Sequence, residues 1–131
     1  MRRFISLVIS CLMLGWSTPS LAEVQLSFHS FNGSVLFGRY PHTFIVLEGA
    51  LEDTGEVINE NYGFTAKRIS PAILRGPVEH DIISEELKHI ERTNRHFTVM
   101  ISDNEYHQII SLMKTWRDTQ GKFYDLSSRN C

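Results

Sequence analysis

Residues 42–67, HTFIVLEGALEDTGEVINENYGFTAK, hold two extended runs joined by a polar connection. HTFIVLEGA is dense in β-branched and aromatic residues, as a central strand covered on both faces requires. LEDTGEVINE turns the chain and NYGFTAK returns it, so the stretch predicts an antiparallel hairpin with a long loop. Folding about Asp53 brings residues 61–64 opposite His42, the histidine that opens the first run.

The flanking sequence adds to this sheet. EVQLSFHSF, residues 23–31, sets Val24, Leu26 and Phe28 against Gln25, Ser27 and His29, the period-two pattern of a half-buried strand. HFTVMIS, from His96, predicts a further strand. Between them, Pro71, Gly76 and Pro77 argue for loop or edge over residues 69–81, while IISEELKHIER places Ile83, Leu87 and Ile90 on one helical face. The last element is the most explicit. In SDNEYHQIISLMKTWRDTQG, residues 102–121, Ser102 and Glu105 have capping-box spacing, Tyr106, Ile109, Ile110, Met113 and Trp116 form one stripe, and Gly121 is placed to stop the helix. With no internal repeat and no low-complexity segment, the pattern predicts an α+β domain, an antiparallel β-sheet with packed helices.

The N-terminus predicts the compartment. Arg2 and Arg3 precede an apolar run from Phe4 to Trp16, and Ser20 and Ala22 occupy the small-residue positions before a cut between Ala22 and Glu23. Residues 1–22 therefore read as a secretory signal peptide, and the mature domain as residues 23–131, periplasmic or secreted. A lipoprotein reading at Cys11 is disfavoured because Leu12, Met13 and Leu14 continue the apolar run beyond the cysteine. No stretch of residues 23–131 is apolar over the roughly 20 residues that a membrane-spanning helix needs.

Without Arg2 and Arg3 the chain carries 11 basic against 15 acidic residues, and the basic ones are scattered. Such a chain has no footprint for a phosphate backbone, which argues against a nucleic-acid partner. The six histidines raise the question of a metal, and Glu85 and His89 share a helical face. No His-x-x-x-His or Cys-x-x-Cys spacing accompanies them, so neither a metal nor another cofactor is expected. Beyond the leader there is one cysteine, Cys131, in FYDLSSRNC. A single thiol in an exported chain closes no internal disulfide, which leaves intermolecular pairing, an inert terminal thiol or a reactive group.

The order of these features, PHTFIVLEG, then NYGF, then FTVMISDNEYHQIISLMKTW, then YDLSSRNC, resembles the circularly permuted papain-like (NlpC-like) cysteine hydrolases and amidases. That family also includes relatives of lecithin:retinol acyltransferase. The resemblance spans residues 35–131 and rests on order and spacing more than on any one motif. It implies Cys131 as the nucleophile and His42 as its base, with an amide substrate, most plainly the peptide of the cell wall. It also implies a polar residue on the next strand to orient the imidazole, for which Asn61 is the candidate, with Asn59 and Glu48 behind it. Members of the family continue past the cysteine into a helix, so the resemblance implies a domain incomplete at its C-terminal end. The alternative is a non-catalytic exported binding or inhibitor domain on the same scaffold.

Overall fold

The hairpin forms, and the rest of the sheet grows from both of its sides. The computed structural model describes residues 23–33 and 42–128. Within them lie β1 (Val24–Phe31), β2 (His42–Ala50), β3 (Val57–Ala66), β4 (His80–Ile83) and β5 (Asn94–Ile101), with α1 (Leu87–Ile90) before β5 and α2 (Asp103–Asp118) after it. The five strands make one antiparallel sheet in the order β4-β3-β2-β1-β5.

Two crossings wrap this sheet. From β4 at one edge, residues 84–93 pass over one face to reach β5 at the other edge. Their course is marked by Ser84 and Glu85 bonded to Asn61, by His89 against Phe31 and by Thr93 against His29. From β5, α2 returns over the opposite face towards β4, where Trp116 meets His80 and Phe64. The core under α2 is Val24, Leu47, Leu51, Ile58 and Tyr106, with Leu26, Tyr62, Ile101, Ile109 and Ile110 packed around it.

Local chemistry fixes both ends of α2. Glu105 N–H donates to Ser102 Oγ, and the Ser102 N–H donates to the Glu105 carboxylate at 2.8 Å, which completes the capping box. Asp103, in the first turn, accepts from the backbone N–H groups of Glu52 and Asp53, each at 3.0 Å. Those two donors hold its carboxyl below the usual range and tie the helix to the β2–β3 turn. At the other end, His80 Nε2 donates to the Trp116 carbonyl at 2.8 Å, satisfying one of the acceptors that a helix C-terminus leaves open. The helix ends at Asp118, three residues before Gly121.

Two expectations change. IISEELKHIER does not become one helix: Ile82 and Ile83 belong to β4, paired with Phe64 and Gly63, and the helix is the single turn Leu87–Ile90 with Leu87 exposed. The β-branched pair is drawn into the open edge of β3, and one helical turn has little stability to set against that pairing. β1, for its part, is covered on part of its second face, where Gln25 stays exposed as the alternation assigns it. Ser27 and His29, on the side the alternation assigns to solvent, are covered, because β1 lies between β2 and β5 and beneath the 84–93 crossing.

Candidate functional site

The crossing brings Glu85 to His42. His42 opens β2, and its side chain shares a sheet face with Phe44 and Val46, and across the ladder with Phe31 of β1 and Asn61 of β3. His42 Nε2–H donates to Glu85 Oε1 at 2.8 Å, and both side chains are only 14% exposed. His89, four residues after Glu85, places Nε2 3.6 Å from Glu85 Oε2 and lies tilted against Phe31, ring centroids 4.6 Å apart. Phe31 and Phe44 flank the His42 ring at 6.1 and 5.8 Å between centroids. The result is an imidazole–carboxylate pair walled by aromatic rings.

Asn61 holds this arrangement from behind. Its Nδ2 donates to the Glu85 carbonyl at 3.0 Å, its Oδ1 accepts from the Glu85 N–H, and its own carbonyl accepts from Ser84 Oγ at 2.9 Å. Asn61 lies opposite Val46, four positions along the strand from His42, on the same face. It therefore grips the backbone of the residue that binds the imidazole, and Glu85 is the residue that meets the ring. Asn59 and Glu48 face each other towards the far end of the sheet, where Glu48 pairs with Arg95 at 3.2 Å. Cys131 and the expected leader of residues 1–22, with its expected cut after Ala22, lie outside the described residues.

The sequence does show Glu85 and His89 four apart, but their partner is 43 residues upstream of Glu85 and is reached only through the crossing. Among the described residues, no group of three or more His, Cys, Asp or Glu side chains is arranged to hold a metal ion. No helix among them is long and apolar enough to cross a membrane.

A second histidine lies on the same face. Thr93 Oγ1 donates to the Ile90 carbonyl at 2.7 Å, so its oxygen accepts from His29 Nδ1–H at 2.9 Å. That fixes the tautomer and leaves Nε2 a buried acceptor, with no hydrogen-bond partner among the described residues. Burial first, and then the charge of Arg95, push the His29 pKa below its ordinary value. The unfolded chain thus takes up a proton here more readily than the folded one. This contribution to stability is complete above the unfolded pKa of about 6.5 and is lost as pH falls below it. Urea melts at pH 7.5, 6.0 and 5.0 should show the loss, with a slope no steeper than the one-proton limit of about 1.4 kcal/mol per pH unit, and His29→Gln should flatten it.

On the opposite face, α2 runs diagonally and leaves one corner of the sheet uncovered. There an apolar cavity of about 630 Å³ lies between the sheet and the C-terminal half of the helix, floored by Phe28, Ile45 and Phe64 and walled by Leu112, Met113 and Trp116. The exposed Phe97 and Leu112 mark its mouth on the β5 side. Beside it, Tyr62 donates to Glu60 at 2.9 Å, and burial with this hydrogen bond pushes the phenol pKa up to about 12.

Compared with known proteins, the chain matches no family model, no curated protein and no solved structure.

Proposed function

We propose that this chain is an exported cysteine hydrolase of the permuted papain-like type, which cuts an amide bond in cell-wall peptide with His42 as base and Cys131 as nucleophile. The observation that carries the reading is the His42–Glu85 pair. With Nε2 donating to a carboxylate, Nδ1 is the nitrogen that takes the thiol proton, and Glu85 stabilises the imidazolium so formed, the division of labour of a nucleophile–base–orienter triad. Asn61, singled out as the orienter, acts one step further back by fixing Glu85.

The C-terminal course bears on this reading. Tyr124 bridges Val78, just before β4, at the end of the sheet where β2 begins. The Ser128 N–H closes a turn on the Asp125 carbonyl at 3.2 Å, so Cys131 reaches beyond that turn by the length of three residues, about 10 Å when extended, against about three strand spacings of 4.8 Å from Tyr124 to β2. Export supplies the compartment in which such a substrate is met, and the signal peptide of residues 1–22 provides the export.

Thiol labelling tests the pair directly. Alkylation of Cys131 as a function of pH should give an apparent pKa clearly below about 8.5, and His42→Ala should restore the ordinary value. A labelling profile centred at 8.5 and indifferent to His42→Ala overturns the hydrolase reading. The cavity under α2 favours the second reading, an exported binding domain, since its size and apolar lining are those of a small-molecule site.

A further inference from the structure

The two edges of the sheet are unlike. At the β4 edge the strand is four residues long, and the chain just before it is covered, because Val78 and Tyr124 exchange both backbone hydrogen bonds at 2.8 and 3.1 Å. The β5 edge is eight residues long and has β1 as its only neighbour among the described residues. Sheet edges are ordinarily blunted by lysine, proline, a bulge or a short length. From Phe97 to Ile101 there is no charge, no proline and no glycine, and the β1–β5 register shift lies before this stretch, between Phe28 and His29. Phe97, Val99 and Met100 are 55, 43 and 47% exposed. Phe97 also stands at the mouth of the cavity.

An occupant of this edge has to supply backbone partners for an extended strand and apolar cover for Phe97, Val99 and Leu112 together. We propose that the occupant is β5 of a second copy of this chain, paired antiparallel about Val99, so that the two sheets become one and each copy closes the open side of the other's cavity. Charge selects this partner and this direction. Arg92 precedes the strand and Arg95, which also pairs with Glu48, is its second residue, while Asp103 and Glu105 follow its end. Antiparallel self-pairing brings the basic end of one copy to the acidic end of the other at both ends of the interface, whereas parallel pairing sets like charges together. Centred on Val99, the register places Phe97 opposite Ile101, Thr98 opposite Met100 and Val99 opposite itself. That gives two aromatic–β-branched pairs with no charge inside the interface.

Residues 23–131 contain one tryptophan, Trp116, in the cavity wall, which gives the association an internal probe. Sedimentation equilibrium of the mature chain from about 1 to 200 μM should show a monomer–dimer equilibrium that weakens with salt, with Trp116 emission shifting to the blue as the dimer forms. Val99→Lys sets two ammonium groups face to face on the two-fold axis and should raise the dissociation constant about 100-fold or more. Met100→Lys, on the other face of the strand, should weaken the dimer as well and serves if Val99→Lys fails to fold by circular dichroism. A chain that stays monomeric to 200 μM overturns the proposal, as does a dimer that both lysine variants leave intact. A monomer whose Trp116 emission shifts only on adding oleate also overturns it, and makes the cavity a ligand site instead.

Discussion

Gly49→Ala should destabilise the protein by about 4 kcal/mol, a large share of the roughly 5–15 kcal/mol that keeps a domain folded. Gly49 faces Val24 across the β1–β2 ladder with φ at +139°, where a side chain is strained by about 1–3 kcal/mol. A Cβ there would lie 2.0 Å from the Glu23 carbonyl oxygen, which is backbone and cannot rotate away. The start of β1 has to move, and with it the Ala50–Glu23 hydrogen bond and the packing of Val24, which is fully buried in the core. Gly55→Ala is the control: its φ is +71° but nothing lies within 4 Å of the added methyl, so it should cost only about 1–2 kcal/mol. Denaturant melts of the two variants decide the point, and equal losses would show that the contact with Glu23 is unimportant.

The elements legible in the sequence are those specified by neighbours along the chain. The capping box of Ser102 and Glu105 and the stripe that starts at Tyr106 are contained in one turn or one helix, and α2 begins where they place it. The hairpin of residues 42–67 is likewise local, with turn residues between two β-rich runs. Burial by a distant segment was not legible. Alternation assigns Ser27 and His29 to solvent, yet Ser27 Oγ bonds Thr98 Oγ1 at 3.0 Å and His29 bonds Thr93, from partners 71 and 64 residues away. Their burial follows from the sheet order and from the return of residues 84–93 over that face, and neither leaves a periodic trace in the sequence.

The candidate site shows the same division. His42 is visible because it opens a strongly apolar strand, and Asn61 because hairpin folding puts it on the same face, but register alone could not say what Asn61 holds. It holds a loop. Residues 84 and 85 follow β4 as an irregular segment whose position depends on the Asn61 side chain and carbonyl. The carboxylate that reaches His42 is thus set by a tertiary clamp, and the four-residue spacing of Glu85 and His89, read as a helical face, records only their mutual contact.

Glu85→Gln is expected to have the largest effect on activity if His42 is the base. The amide is nearly isosteric with the carboxylate, and its oxygen can still accept from His42 Nε2–H, so the fold and the Asn61 contacts to the Glu85 backbone should persist. What is lost is the negative charge that stabilises the imidazolium during proton transfer. Turnover of a cell-wall peptide should fall about 10²–10⁴-fold with little change in KM, the range in which a positioned acid–base group contributes. Asn61→Ala should act in the same direction through displacement of Glu85 and should also lower the melting temperature, because two bonds to the Glu85 backbone go with it. The loss in Glu85→Gln without a change in melting temperature separates an electrostatic role from a structural one. If Glu85→Gln retains turnover within about threefold of the parent, His42 does not act through Glu85, and the pair belongs to the packing of the 84–93 crossing.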